Sequence, residues 1–266
     1  MYKILSYEFS IKKPLIIAGP CVVESKDLCL KVAEKMKLIC EKNGLPYIFK
    51  ASIEKANRTS GSSFRTIGFE EALRVLEDVK NEMDVPIISD VHESVQVNQV
   101  KEVLDVIQIP AFLCRQTVLL EAAAESGLPV NIKKGQFMAP QDMKYAVEKV
   151  KNLSSNIVML TERGSFFGYN NLVVDYRSIP IMQEFAPVIF DVTHSIQLPG
   201  AGDGKSSGNR KMAPVLARAA AAVGVEGFFI ETHPDPDNAW SDGPNMFCLD
   251  EMEGLIASLN KYTEIV

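Results

Sequence analysis

Eight short apolar runs recur along this chain, and nearly every one ends in a polar or ionisable residue. The runs occupy 15–20, 47–49, 86–89, 105–109, 129–132, 156–160, 187–190 and 227–230. At or just past their ends stand Cys21, Lys50, Asp90 with His92, Pro110, Lys133, Glu162 with Arg163, Asp191 with His194, and Glu231 with His233. Strands covered on both faces read as continuous apolar runs, because both sides of the sheet are buried. The carboxyl ends of such strands are where β/α proteins gather their functional groups. One repeated pattern therefore constrains the fold and marks where chemistry belongs.

Helix-like segments fill the gaps. Segment 26–43 carries Leu28, Val32, Ala33, Met36 and Ile39 at a helical spacing and is followed by Gly44 as a stop. Segment 69–83 repeats this with Leu73, Leu76 and Val79, and 94–103, 116–126, 141–153, 210–223 and 248–262 fill most of the rest, with 179–185 as a shorter helix. Alternating strand and helix predicts βαβ units on a parallel sheet. Eight such units predict closure into a (β/α)8 TIM barrel, a single domain over 1–266 with 1–13 as an N-terminal extension. The competing fold is an open doubly wound sheet. Its dinucleotide-binding form carries G-x-G-x-x-G after an early strand, whereas the first run here ends Ala18-Gly19-Pro20-Cys21.

Composition removes several function classes. A formal charge of −6 and a pI near 5.3 leave no global basic footprint for nucleic acid. No apolar stretch approaches the roughly 18 residues of a membrane span. Residues 1–13 mix Lys, Glu, Ser and Tyr and lack the apolar core of a secretion signal. The five cysteines, an odd number, favour reduced thiols and a cytoplasmic setting over a disulfide framework.

Cations dominate the strand tips: Lys50, Lys55, Arg58, Arg115, Lys133, Lys134 and Arg163. Taken singly, each reads as a solvated surface residue. Gathered around one mouth of an acidic protein, they predict an anion site. Cys21, His194, Glu231 and Asp242 follow the first, seventh and eighth runs, which a closed barrel makes neighbours. One thiolate, one imidazole and two carboxylates suit a divalent ion such as Zn²⁺, Fe²⁺ or Mn²⁺ better than Ca²⁺. Each of the four also has a structural account on its own, as a small buried hydrophobe, a hydrogen-bonded core histidine or a loop carboxylate. Asp90 and His92 lie two apart on a strand and so share a face, beside Glu93; proton handling and a structural network are both open to them. Loops 59–63 and 199–208, rich in Gly and Ser, lie on the strand-tip side as lids, clamps or plain surface loops.

Several stretches are similar to the synthases that condense phosphoenolpyruvate with an aldose phosphate. They are Ile17-Ala18-Gly19-Pro20-Cys21, Lys50-Ala51-Ser52 with Lys55-Ala56-Asn57-Arg58, and Ile109-Pro110-Ala111-Phe112-Leu113-Cys114-Arg115-Gln116-Thr117. Lys133-Lys134-Gly135-Gln136-Phe137, Thr161-Glu162-Arg163-Gly164, Phe167–Asp175, Asp191-Val192-Thr193-His194-Ser195 and Glu231-Thr232-His233-Pro234 continue the series. The chain resembles the 3-deoxy-D-manno-octulosonate 8-phosphate synthases from about residue 15 to 254. The sister family that opens the shikimate pathway with erythrose 4-phosphate has Lys-Pro-Arg-Thr in place of residues 55–58 and Gly-Ala-Arg-Asn in place of 110–113.

The resemblance implies an enzyme of lipopolysaccharide biosynthesis whose substrates are phosphoenolpyruvate and arabinose 5-phosphate. It assigns Lys133 and Arg163 to the phosphoenolpyruvate phosphate and Lys50 and Lys55 to its carboxylate region. Asn57, Arg58 and Thr59, which stands where Ser is usual, go to the sugar phosphate, with Gln197 among the substrate contacts. Arg115 is expected to reach that phosphate from a neighbouring subunit of a homotetramer. Lys55, Asn57, Asp90, His92 and His194 are the expected catalytic residues. Cys21, His194, Glu231 and Asp242 match the ligands of the metal-dependent branch, in which Cys stands where metal-free members have Asn. Asp242-Gly243-Pro244 is closer to the metal-free members.

Overall fold

The computed structural model describes residues 1–56, 64–202 and 205–263. In chain order the strands are β1 (Tyr2–Ile4), β2 (Tyr7–Phe9), β3 (Leu15–Gly19), β4 (Tyr47–Lys50), β5 (Ile87–Asp90), β6 (Val106–Ile109), β7 (Val130–Lys133) and β8 (Val158–Glu162). They continue with β9 (Ser165–Phe166), β10 (Leu172–Val173), β11 (Val188–Asp191), β12 (Gln197–Gly202), β13 (Lys205–Gly208), β14 (Gly227–His233) and β15 (Phe247–Cys248). The helices are α1 (Lys26–Lys42), α2 (Phe69–Met83), α3 (Ser94–Val100), α4 (Thr117–Glu125), α5 (Met143–Lys151), α6 (Ser178–Gln183), α7 (Ala213–Val223) and α8 (Met252–Thr263).

Eight parallel strands pair in the order β3-β4-β5-β6-β7-β8-β11-β14, and β14 pairs back onto β3, closing the (β/α)8 barrel. Each apolar run of the sequence is one of these strands. Six strands extend onto their ionisable tips, so Lys50, Asp90, Lys133, Glu162, Asp191 and Glu231 lie within the ladder rather than just beyond it. Pairing there fixes the direction of each side chain, since neighbours on a strand point to opposite faces. Gly19 is required by crowding: a Cβ there would sit 2.0 Å from the Lys50 carbonyl oxygen.

Burial splits into two layers. Ile17, Ile48, Ile88, Val106, Met159, Ile189 and Phe229 fill the barrel interior, together with Ile4 and Phe9 of the N-terminal hairpin. Val32, Met36, Leu76, Val79, Leu120 and Val150 belong to the second cluster, which joins helices to the outside of the sheet. The β1–β2 hairpin thus closes the amino end of the barrel. Among the described residues, no helix is long and apolar enough to cross a membrane.

Helix positions follow the periodicity: α1, α2 and α3 start where it places them, α4, α5, α7 and α8 start later, and α3 ends at Val100 rather than 103, α5 at Lys151 rather than 153 and α6 at Gln183 rather than 185. Ser25 caps α1, its hydroxyl accepting from the Leu28 N–H at 3.3 Å. α5, α7 and α8 are each preceded by a single tight turn, at Pro140–Asp142, Arg210–Met212 and Leu249–Glu251. The described residues of loop 199–208 belong to the antiparallel β12–β13 pair, which follows β11 at the carboxyl end of the barrel.

Candidate active site

The interior becomes ionic above Phe229. Lys133 Nζ lies 3.4 Å from the centre of the Phe229 ring, and Lys50 Nζ lies 5.4 Å from it. Each ammonium has one carboxylate partner: Lys50 meets Glu231 Oε1 at 2.7 Å, and Lys133 meets Asp191 Oδ2 at 2.6 Å. Lys50 also donates to the Cys21 carbonyl at 2.9 Å, tying β4 to the Gly19-Pro20-Cys21 tip. Burial pulls the Lys133 pKa down, assisted by the Lys50 charge, against the upward pull of Asp191.

Asp191 orients His194. Its two oxygens lie 3.0 and 2.9 Å from His194 Nδ1, and Oδ1 accepts from the His194 backbone N–H at 2.9 Å. Nδ1 is thus the nitrogen engaged by Asp191, and Nε2 is the one turned toward the cavity. Nε2 points at two more carboxylates, 3.8 Å from Glu231 Oε2 and 3.6 Å from Asp242 Oδ2. Burial would raise the Asp191 carboxyl, but His194, Lys133 and Arg163 hold it well below the usual range. Glu231 is likewise lowered, to about 2, by Lys50, His194 and Lys55 against the effect of burial. Asp242 is raised, first by burial and then by Glu231, with His194 opposing.

His194, Glu231 and Asp242 each offer a ligand atom, and these atoms lie within 4.8 Å of one another. Glu231 Oε2 is buried and has no hydrogen-bond partner. The buried carboxylate of Glu231 and the partly exposed one of Asp242 share one imidazole nitrogen, a donor set that would suit a divalent cation. Cys21 stands beside this cluster rather than in it: its thiol donates to Ser241 Oγ at 3.4 Å. Burial, then Glu231, pushes that thiol up to about 12, so it ligates only when a cation displaces its proton.

Arg163 extends from the end of β8 and is 5% exposed. Its Nη2 donates to Gln197 Oε1 at 3.0 Å, and Nη1 is buried without a partner. Gln197 then donates through Nε2 to Asp242 Oδ2 at 3.0 Å, so one side-chain amide at the base of β12 joins the guanidinium to the carboxylate cluster. Asn245, fully buried, holds the other Asp242 oxygen at 2.7 Å. Lys55, half-buried, approaches Ser52 Oγ at 3.4 Å. Burial would lower its pKa, but the Cys21, Glu231, Asp90 and Asp242 charges raise it above the ordinary lysine value. Across the mouth, His92 Nε2 meets Asp90 Oδ2 at 3.1 Å. Burial opposes ionisation of Asp90, yet His92, Lys55 and Lys50 keep it below the usual carboxylate range.

The structure therefore brings together Lys50, Lys55, Asp90, His92, Lys133, Arg163, His194, Gln197, Glu231 and Asp242, with Cys21 alongside. Lys134 is a correction: it does not join the cations of the mouth. Strand alternation turns it outward, where it is 1% exposed and lies 3.5 Å from Glu162. Arg115 is exposed and lines a separate cavity of about 250 Å³ with Cys114, Met138, Asp142, Tyr145 and Lys149. Asn57, Arg58 and Thr59 lie outside the described residues.

The sequence model of the DAHP synthetase I family matches residues 11–266. A protein of Koribacter versatilis (strain Ellin345) called 2-dehydro-3-deoxyphosphooctonate aldolase is 53% identical over 268 residues, covering 100% of this chain and 96% of its own. Proteins of the same name from Desulfotalea psychrophila (strain LSv54 / DSM 12343) and Legionella pneumophila (strain Lens) are 55% and 51% identical, covering 93% and 99% of this chain and 89% and 97% of their own. This chain belongs to the DAHP synthetase I family, among the 2-dehydro-3-deoxyphosphooctonate aldolases.

For a member of these aldolases, sequence reasoning left several residues out. Asp191 was a strand tip without a role, yet it holds both Lys133 and His194. Its spacing of three before His194 was the available signal. Thr161, Asn131 and Gln108 form a buried ladder, Thr161 Oγ1 donating to Asn131 Oδ1 at 2.8 Å and Asn131 Nδ2 to Gln108 Oε1 at 3.3 Å. A polar residue inside an apolar run, as Gln108 is in Val106–Ile109, marks such a position. Ser241 and Asn245 carried no local signal.

Proposed function

We propose that this chain condenses phosphoenolpyruvate with D-arabinose 5-phosphate to give 3-deoxy-D-manno-octulosonate 8-phosphate and inorganic phosphate, in lipopolysaccharide biosynthesis. The observation that carries the reading is Arg163: a buried guanidinium with an unpartnered nitrogen, just past the end of β8, the strand that pairs with the Lys133 strand. A buried donor without a partner costs free energy that an anionic ligand recovers. The names of the full-length relatives support the same reading.

The reaction forms a bond from carbon 3 of phosphoenolpyruvate to the aldehyde carbon. Water adds at carbon 2, and the bond from carbon 2 to the phosphate oxygen then breaks. Both reactants are anions, so their approach is opposed until cations neutralise them. Lys133 and Arg163 take the phosphoenolpyruvate phosphate, and Lys50 with Lys55 its carboxylate region. Lys55, held firmly protonated, supplies a fixed positive charge to the oxygen that gains negative character rather than a mobile proton. Asp90, kept ionised by His92, accepts a hydrogen bond from a sugar hydroxyl or from the attacking water. Asn57, Arg58 and Thr59 receive the sugar phosphate, joined by Arg115 of a neighbouring subunit. Holding the reactants in attack geometry contributes about 7–11 kcal/mol toward the barrier.

A divalent ion, Zn²⁺, Fe²⁺ or Mn²⁺, fits His194, Glu231 and Asp242, with Cys21 as the fourth ligand once deprotonated. Bound there it would polarise an oxygen of the reactants or fix their orientation. Asp191 engages His194 Nδ1 and leaves Nε2 free for it, and Gln197 and Asn245 hold Asp242. A homotetramer accords with Phe112, Val118 and Tyr145, apolar side chains left exposed near Arg115. Free cysteines accord with a cytoplasmic setting.

The test is release of inorganic phosphate from phosphoenolpyruvate, with arabinose 5-phosphate, with erythrose 4-phosphate and with no sugar, each with and without chelator. Phosphate release that depends on arabinose 5-phosphate is expected. Release with erythrose 4-phosphate alone, or without sugar, would overturn the assignment.

A further inference from the structure

Two neighbouring strand ends carry mirrored dipeptides. At the end of β7, Lys133 faces the cavity and Lys134 faces outward; at the end of β8, Glu162 faces outward and Arg163 faces the cavity. The outward pair is sealed from solvent. Lys134 and Glu162 side chains are each 1% exposed, with Nζ 3.5 Å from Oε1. Three of their four remaining bonds converge on one turn. Lys134 Nζ donates to Ser165 Oγ at 3.1 Å and to the Gly164 carbonyl at 3.4 Å. Glu162 accepts from the Gly164 N–H at 2.7 Å and from Ser178 Oγ, at the start of α6, at 2.6 Å. Gly164, directly after Arg163, has φ +87°, a conformation that side-chain-bearing residues rarely adopt.

Stability alone is a weak reason for such a pair. Burying two charges is costly, and well-packed apolar replacements are often as stable or more so. Geometry gives a better reason. The inward groups on the same two strand ends, Lys133 and Arg163, are both cationic and repel each other. An opposite-charge pair on the outside ties those ends together and fixes the turn that aims the guanidinium.

We infer that the Lys134–Glu162 pair is a positioning device that holds Arg163 in register with Lys133, so that both cations meet one phosphoryl group. The inference rests on the functional reading above, because it takes phosphoenolpyruvate as the ligand that supplies this group. Neither Lys134 nor Glu162 touches the ligand; both act through Arg163.

The double variant Lys134→Met/Glu162→Gln removes both charges and keeps an acceptor for the Gly164 N–H. Thermal melting and calorimetric titration with phosphoenolpyruvate, without sugar, are measured on it and on the wild type. Phosphoenolpyruvate affinity is expected to fall about tenfold or more while the melting temperature changes little, since one misplaced charged hydrogen bond accounts for that loss. The KM for arabinose 5-phosphate should stay near its wild-type value. Unchanged phosphoenolpyruvate affinity in a folded double variant would overturn the positioning role. Lys134→Met alone, which breaks the ion pair and leaves Glu162 its bonds from Gly164 and Ser178, decides the matter if the double variant does not fold. It should weaken phosphoenolpyruvate about threefold or more, and an unaltered affinity would overturn the inference. Wild-type protein that fails to bind phosphoenolpyruvate would instead overturn the functional reading.

Discussion

Lys50 Nζ lies 2.7 Å from Glu231 Oε1, and neither side chain reaches solvent. The pair couples β4 to β14 across β3, and it places one carboxylate between an ammonium and the imidazole of His194. Glu231→Ala would leave the Lys50 charge buried and unpaired. A stability loss of about 3–5 kcal/mol is expected in urea unfolding. A loss below about 1 kcal/mol would show that Lys50 finds another partner or water.

Arg163→Ala removes the guanidinium that Gln197 holds at 3.0 Å. Phosphoenolpyruvate affinity should fall about tenfold or more, since a charged hydrogen bond contributes about 1.5–3 kcal/mol. Calorimetry measures it directly, and an unchanged affinity would remove Arg163 from the phosphate site.

Cys21→Ala and Cys21→Asn test the metal centre. Cys21→Ala should lower the metal content per chain, read by elemental analysis after dialysis, and most of the activity with it. Cys21→Asn is expected to retain part of its turnover under chelator. Wild-type metal content in Cys21→Ala would confine the ligands to His194, Glu231 and Asp242.

How much of this was legible beforehand varies with the kind of signal. The strands were legible because burial on both faces leaves uninterrupted apolar runs, as in Leu15–Gly19. The 69–83 helix was legible to the residue because Leu73, Leu76 and Val79 repeat at helical spacing. The inward direction of Lys133 and the outward direction of Lys134 were not, because two adjacent lysines look alike until the strand register is known. The Gln197 link from Arg163 to Asp242 is also three-dimensional: its members are 34 and 45 residues apart. No local pattern encodes that separation.

Glu226 carries a pH prediction. Burial holds its carboxyl above the ordinary value of 4.5, although Val188 N–H and Gln183 donate to it at 2.8 and 2.9 Å. The folded chain therefore binds this proton more tightly than the unfolded chain. Its contribution is most favourable below the unfolded value and declines as pH rises through the folded value. Glu226→Gln keeps an acceptor for Val188 and abolishes that decline, so the variant should gain stability relative to wild type as pH rises above the ordinary value of 4.5. Denaturant midpoints that run parallel over this range would refute it.

Phe9→Ala probes the closed end of the barrel. Phe9 is fully buried and packs with Ile4 against the interior residues Ile17 and Ile48. Truncation should cost about 3–5 kcal/mol, with the KM of either substrate unmoved. A shift in KM would mean that the hairpin reaches the far end of the barrel.

Among the described residues, Ile4 and Phe9 stopper the amino end, which makes the barrel a cup opening at its carboxyl end. Anything that settles on the cations above Phe229 has to arrive before a second molecule is seated over it. Departure through the same doorway reverses that sequence. The stopper at one end thus imposes a queue at the other, with the occupant nearest the floor first in and last out.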